Sequence, residues 1–390
     1  MNLKTYLKEN ISSLFGTASN IQDDIEELQH SSLPVVVFGT GNGSGRMKKW
    51  LTAHSIRIDA FCESAAYWHA GKFVCGKPVF NYEELSVQCG KCNLIFAASG
   101  EGARRIWKNP GDAVNKIYFF NCFTPVYGNI EMTFDWAKSH ADELNETYHM
   151  LSDEKSKRIF LSYIDERAHC LKNRVPHIFE QFTPNIYFNE LYDLSKREHH
   201  TLIDCGAYDG DSAEQFLQLV RTRDKTGSVF AFEPDKANFD RLKNRVNRIK
   251  ELGEVTCFQS AVGDKNEMIS FAIGYGIESH CVEGSARDDN VVKMQVVRLD
   301  DELKNSEISA IKMDIEGSEM SALMGAQAII SEQLPFLAIC VYHRDDDLIR
   351  IPPYINRLAC QAGKKYDLYL RHHEDCQLVG TVLYAVPHID

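Results

Sequence analysis

Thr201-Leu202-Ile203-Asp204-Cys205-Gly206-Ala207-Tyr208-Asp209-Gly210-Asp211-Ser212, followed downstream by Gly227-Ser228-Val229-Phe230-Ala231-Phe232-Glu233-Pro234, is the stretch whose reading decides the fold. A short apolar run, Leu202-Ile203, ends in an acid. Gly206 and Gly210 follow, then an amphipathic segment with Phe216, Leu217, Leu219 and Val220. A second apolar run, Val229 to Phe232, ends in Glu233. Strand, glycine turn, helix, strand and acid make half of a nucleotide-binding α/β unit. The glycines let the backbone approach a ligand, and an acid about 20 residues past the turn can accept both ribose hydroxyl protons.

Glycine spacing narrows the ligand. A dinucleotide loop reads G-x-G-x-x-G and seats a pyrophosphate on a helix N-terminus. Here the pattern is Asp204-x-Gly206-x-x-x-Gly210, with Asp211 opening the helix. Two carboxylates repel a pyrophosphate and suit a cationic ligand with an amino group, such as S-adenosylmethionine (SAM). The bland alternative is an ordinary strand-turn-helix of an unrelated α/β domain.

Composition sets outer limits. At 390 residues two domains are expected, and a hydrophobic fraction of 44% supplies full cores. A net charge of −12 without a basic cluster argues against nucleic acid as a partner. No apolar run reaches the ~20 residues of a membrane span, and Met1 to Asn20 lacks the pattern of a secretory signal. The 12 cysteines are scattered, which fits a reducing, cytoplasmic setting. Cys89 and Cys92 form a C-x-x-C with no second pair, so a zinc site would lack half its ligands.

Residues 1–30 read as two short helices, carried by Tyr6, Leu7, Ile11 and Leu14, then Ile21, Ile25 and Leu28. Residues 31–123 read as a first Rossmann-like domain. Val35 to Phe38 is a buried strand running into the loop Gly39-Thr40-Gly41-Asn42-Gly43-Ser44-Gly45. A helix follows (Met47, Trp50, Leu51), then a strand from Ile56 to Phe61 that ends near Glu63. Gly39, Gly41, Gly43, Gly45 and Glu63 form a candidate second nucleotide loop, although Ser44 stands where the strict motif has its last glycine. This part resembles the small Rossmann-like domain of nucleotide-sugar enzymes and some sugar acyltransferases. It either holds a nucleotide or nucleotide sugar, or packs as a vestigial domain. Residues 124–198 read as a helical connector, and the aromatic run Ile186-Tyr187-Phe188 near its end reads as packing.

Residues 199–390 alternate strands (201–205, 228–232, 254–259, 308–313, 336–341, 366–371, 380–386) with helices (212–222, 235–250, 318–331, 347–362). Such alternation makes a mostly parallel, doubly wound sheet. Ligands then bind at the C-terminal strand ends near the order switch, where Asp204, Glu233, Ser260, Asp314 and Tyr342-His343 fall. A polar insertion from Ala261 to Glu302 carries strands of its own (Met268 to Ile273, Lys293 to Leu299) and is placed to shape substrate access.

The C-terminal half resembles the FkbM-like family of SAM-dependent methyltransferases. The likeness rests on Ile203 to Gly210; Phe232-Glu233-Pro234; Ser260-Ala261-Val262-Gly263-Asp264; Arg298-Leu299-Asp300; Ile311 to Glu319; and Val341-Tyr342-His343-Arg344. The segments Leu368 to His372 and Val382 to Ala385 look like a sugar-directed branch. Gly380 departs from the pattern, in which a Glu precedes the last strand. The resemblance implies two Rossmann-like doubly wound domains, the second a class I SAM-methyltransferase fold with a β insertion. It implies SAM held by Asp204, Gly206, Ala207, Tyr208, Gly210, Glu233, Pro234, Ser260 and Ala261. Gly206 and Gly210 make room for the methionine moiety, Asp204 orients the loop and the methionine amino group directly or through water, Glu233 binds the ribose hydroxyls, and Ser260 and Ala261 border the adenine.

Methyl transfer to a hydroxyl benefits from a base, and Asp314, Glu316 and His343 are the candidates. Asp314, Glu316 and Glu319 are alternatively ligands of a divalent ion that polarises the acceptor; the primary reading has no metal. Asp345-Asp346-Asp347 reads as the cap of the next helix. The expected activity is O-methylation of a saccharide or similar polar metabolite, free, nucleotide-linked or carrier-linked, by a protein that could form homo-oligomers. Two readings compete with it: an NAD(P)-dependent sugar oxidoreductase working through the loop at Gly39, and an accessory protein with a degenerate first domain.

Overall fold

The computed structural model describes residues 3, 21–98, 101–120, 134–168, 171–172, 177–272, 280–281, 291–374 and 379–388. The first expected N-terminal helix lies outside the described residues; the second is Ile21–Gln29. The chain divides into two compact units. One is Met1–Tyr148 with Glu154–Thr183 and His372–Gly380; the other is His149–Asp153 with Pro184–Arg371 and Thr381–Asp390. No helix among the described residues is long and apolar enough to cross a membrane.

The first unit is built on strands β1 (Val35–Phe38), β2 (Ala60–Glu63), β3 (Phe73–Val74), β4 (Lys77–Asn81), β5 (Cys92–Phe96), β6 (Val114–Phe119) and β7 (Leu171–Lys172), in the order β3-β4-β2-β1-β5-β6-β7. The inner five are parallel, and β3 and β7 run antiparallel at the edges. All four side chains of β1 are buried, as a parallel strand covered on both faces requires. Helix α1 (Asn42–Ala53) seats Met47, Trp50 and Leu51 on Val35, Val37 and Phe61. In this unit the ladder residues of β2 begin four places later than Ile56. The Ile56 N–H is spent on Leu51 O at 2.8 Å, closing the helix end, so Ile56 and Ile58 are buried without pairing. Helices Phe134–Ser139 and Glu154–Ala168 supply the helical character of the segment before the second unit.

The second unit carries β8 (His199–Cys205), β9 (Thr226–Phe232), β10 (Glu254–Phe258), β15 (Ala310–Met313), β16 (Phe336–Cys340), β17 (Tyr366–His372) and β18 (Thr381–Pro387). Between them lie β11 (Ala261–Val262), β12 (Glu267–Ala272), β13 (His280–Cys281) and β14 (Val291–Val297). The main sheet runs β10-β9-β8-β15-β16-β18-β17; β10, β9, β8, β15 and β16 are parallel, and β18 is antiparallel to β16. Its order reverses between β8 and β15, so their C-terminal ends open a crevice. The insertion forms a separate sheet, β11-β14-β12-β13. Helix α2 (Asp211–Arg221) buries Phe216, Leu217 and Val220 on Leu202 and Val229; each such side chain contributes about 1.5–3 kcal/mol of burial. Helix α3 (Lys236–Ile249) is capped by the Asp235 carboxylate, which accepts from Ala237 N and Asn238 N.

Three expectations need correction. The helix expected over 318–331 is two, α4 (Glu319–Gly325) and Gln327–Gln333. A Cβ on Gly325 would stand 1.9 Å from Gly263 O, so the glycine marks where the chain breaks to pack on the Ser260–Asp264 turn. Asp345–Asp347 do not cap helix α5 (Asp347–Gln361): the cap residue Asp346 makes no side-chain cap bond and pairs with Arg350 instead, while Asp345 and Asp347 are buried. In the first unit, α1 starts at Asn42, so Gly43 and Gly45 lie inside a helix rather than in a loop. Ser44 closes that first turn by donating its N–H and hydroxyl to Gly41 O. At the other end of the chain, Gly380 has φ +84°, a conformation that suits glycine far better than the family's Glu, and β18 follows it intact.

Candidate active site

The crevice between β8 and β15 gathers the second unit's chemistry. Gly206 sits just past β8 with φ +77°, and a Cβ there would lie 2.0 Å from Asp314 O. Only glycine lets these strand ends meet. The N–H groups of Gly206 and Ala207 both bond to Phe232 O at 3.0 Å, tying the loop to the end of β9. Tyr208 also takes a positive φ (+49°), which turns its N–H onto Glu233 Oε2 at 2.9 Å. Arg245 on α3 holds the outer loop, with ion pairs of 2.6 Å to both Asp209 and Glu214.

Glu233 is 5% exposed. Its other oxygen, Oε1, accepts from Asp235 N at 2.9 Å. Burial pushes its pKa up to about 7, against the opposing effect of those N–H groups. A carboxylate has about four acceptor sites; Tyr208 N, Asp235 N and, at 3.4 Å, Asn238 Nδ2 take three, so a ligand diol would use the fourth and displace the long Asn238 contact. Pro234 beside it is half-buried, as is Ala261 at the start of β11. Ser260 is buried, and its hydroxyl has no hydrogen-bond partner among the described residues. A buried polar atom left unpaired is costly, and a ligand at this edge of the crevice would satisfy it.

Asp204 lies beneath the loop, near the end of β8. It is fully buried, 3.1 Å from Lys312 Nζ, and accepts from the Ser212 hydroxyl at 2.6 Å. It therefore orients the loop through these partners. Lys312 was not singled out from the sequence. It is the Cα partner of Asp204 in the β8–β15 register and donates to Gly206 O at 2.6 Å. Burial would lower its pKa, but the Asp204 and Asp314 carboxylates outweigh this and hold it above its ordinary value. The available signal was a lone lysine inside the apolar run Ala310-Ile311-Lys312-Met313.

The three candidate bases come together past β15. Asp314 accepts from the hydroxyls of Tyr187 (2.6 Å) and Tyr342 (3.1 Å). Burial alone would raise it, yet His343 and Lys312 keep its pKa below the usual value, so it is a weak base. His343 is buried, with Nδ1 2.8 Å from Glu319 and Nε2 3.4 Å from Asp314 and 3.6 Å from Glu316. Desolvation disfavours its charged form, but Glu319, Glu316 and Asp314 prevail and carry its pKa up to about 10. At neutral pH the ring is a cation with no lone pair for a substrate proton. Tyr187, which the sequence suggested only as packing, is the other residue that reasoning missed; its partner lies 127 positions away.

The loop at Gly39 is built differently. Gly39 has φ +115°, and its Cβ position is 2.6 Å from Ala98 Cβ, so this glycine is needed for packing at the β1–β5 switch. Gly41 and Gly45 face open space. Glu63 is buried and already engaged by Lys72 Nζ at 2.6 Å and by the Thr40 hydroxyl. A ribose would have to displace Lys72. Among the described cysteines Cys89 and Cys92 are free thiols, and burial raises both pKa values, Cys92 to about 12.

Residues 204–366 match the family model described as methyltransferase FkbM domain. A 2-O-methyltransferase, NoeI, from Sinorhizobium fredii (strain NBRC 101917 / NGR234) is 26% identical over 162 residues, covering 37% of this chain. The chain spans 64% of the length of that curated relative. A crystal structure of methyltransferase FkbM from Methylobacillus flagellatus KT superposes with a TM-score of 0.65 at 21% identity, over 94% of each chain. That likeness shows a shared fold.

Proposed function

We propose, for a chain whose residues 204–366 are a methyltransferase FkbM domain, that it transfers a methyl group from SAM to a hydroxyl of a saccharide or similar polar metabolite. The observation that carries this reading is Glu233, a buried carboxylate with spare acceptor capacity beside the Gly206 loop at the sheet's order switch. Transfer to oxygen is supported by the name of the Sinorhizobium fredii relative, a 2-O-methyltransferase.

In this reading Glu233 accepts from both ribose hydroxyls, and Ser260 and Ala261 border the adenine. The Gly206 and Gly210 turns admit the methionine moiety, with Asp204 and Lys312 fixing the loop from beneath. Bound SAM supplies an electrophilic methyl on a sulfonium. The acceptor oxygen forms the new C–O bond as the C–S bond breaks, and sulfur keeps the electron pair. The acceptor hydroxyl loses its proton to a base. With His343 already protonated and Asp314 held below the usual carboxylate range, Glu316 is the group we assign to this role. Its carboxylate is partly exposed, 3.6 Å from His343 Nε2. Holding acceptor and methyl in line supplies most of the acceleration.

Calorimetry with SAM and S-adenosylhomocysteine tests the reading. Binding of both, strongly weakened in Glu233→Ala, is expected; absence of affinity for either sinks it. Mass spectrometry of products from a panel of free, nucleotide-linked and carrier-linked sugars then identifies the acceptor.

A further inference from the structure

We propose that Asp314, Glu319 and His343 form a binding site for one divalent first-row cation of the Mn2+ kind, placed beside the methyl-transfer crevice. Candidate ligand atoms of these three side chains all lie within 4.8 Å of one another. Each comes from a separate, rigidly held segment. Asp314 follows β15, Glu319 opens α4, and His343 follows β16. An imidazole with carboxylates and no thiolate is a donor set that divalent Mn2+ and its neighbours accept.

Two further observations point to a missing cation. Glu319 is fully buried, its Oε1 accepts from Ile315 N and meets His343, and its Oε2 has no hydrogen-bond partner among the described residues. Leaving a carboxylate oxygen bare in the interior is expensive. The second observation is charge. One histidine ring faces three carboxylates, Glu319, Asp314 and Glu316, at 2.8, 3.4 and 3.6 Å. Asp345 and Asp347, both buried, follow on the next turn. A divalent cation supplies two charges and gives the bare Glu319 oxygen a partner, while the ring becomes a neutral ligand.

The site deepens the methyltransferase reading and rests on it for its purpose. Asp314 O is the atom that forbids a side chain at Gly206, so the cation would lie next to the cofactor loop. There it would favour the deprotonated form of an acceptor hydroxyl, leaving Glu316 to receive the proton. The cation site itself requires no SAM.

The test is titration of Mn2+ into chelator-stripped protein without SAM, followed by the loss of the free-ion electron paramagnetic resonance signal. One ion per chain is expected, with Glu319→Gln or His343→Asn weakening it about 10–100-fold. Mn2+-soaked crystals give a second readout that does not depend on variants folding. Anomalous scattering centred between Asp314, Glu319 and His343 supports the site. An ion bound elsewhere, or no binding at millimolar Mn2+, overturns it. SAM calorimetry on the same preparation separates the two ideas. SAM binding without Mn2+ binding refutes the cation site alone; Mn2+ binding without SAM binding refutes the methyltransferase reading alone.

Discussion

Cofactor affinity should depend on pH through one carboxylate. Glu233 is buried, and its pKa in the ligand-free fold is pushed to about 7 from an ordinary 4.5. A ribose diol is best bound by the ionised form, since hydrogen bonds to a charged acceptor are worth about 1.5–3 kcal/mol each. Below about pH 7 that form must first be recovered by losing a proton. Relative to pH 8, the dissociation constant for SAM should therefore rise roughly tenfold by pH 6 and roughly a hundredfold by pH 5. The stability of the free protein moves the other way. The folded state holds a proton on Glu233 that the unfolded chain releases, so this group's contribution to stability rises as pH falls from about 7 toward 4.5. The opposite signs distinguish the effect from general acid unfolding. Calorimetric titration of wild type and Glu233→Gln across pH 5–8, with melting curves at each pH, measures both. Glu233→Gln should bind weakly and with a flat profile. A wild-type affinity that does not change with pH, or a Glu233→Gln profile with the same slope, refutes the reasoning.

Gly206→Ala should fail to fold or melt far below wild type, because its Cβ would stand 2.0 Å from Asp314 O at a φ of +77°; circular dichroism melts decide this. Lys312→Met should cost about 3–5 kcal/mol in urea unfolding, since it strands the fully buried Asp204 carboxylate. Arg245→Ala removes partly buried ion pairs, their side chains 24–27% exposed, to Asp209 and Glu214, each worth about 0–1 kcal/mol. It should weaken SAM binding more visibly than it lowers the melting temperature, and equal losses in both would contradict that. His343 is raised from 6.5 to about 10, so its stabilising charge is complete below 6.5 and is lost as pH climbs through 10. Denaturation in EDTA should show wild type losing stability progressively from pH 6.5 to about 10 and His343→Gln not doing so.

Features set by neighbours along the chain were legible. Asp204, Gly206, Gly210 and Glu233 lie on one strand-turn-helix-strand unit, where alternation and glycine spacing speak directly. The seven strands of the second unit were legible for the same reason, as buried apolar runs between amphipathic segments. Features set by partners across the fold were not. The pairing of Asp204 with Lys312, 108 positions later in sequence, was not visible. Tyr187 looked like packing, although its hydroxyl serves Asp314. The triplet at Asp345–Asp347 has the composition of a cap, but burial of two of its members turns them inward. The break at Gly325 depends on the backbone of Gly263, which no local propensity can report. Gly43 and Gly45 read as loop by composition and are helical because Ser44 closes the turn on Gly41.

Lys312 stands between two carboxylates with different duties, one under the cofactor loop and one at the acceptor side. It touches Asp204 at 3.1 Å and feels Asp314 strongly enough to be shifted by it. A single counterion common to both makes the two halves of the site electrically linked. A change of charge on one side, whether an arriving sulfonium or a protonated Asp314, alters how firmly Lys312 holds the other. The linkage needs no moving lid or sliding strand. In the proposed reading, cofactor and acceptor binding would be coupled through this one buried cation.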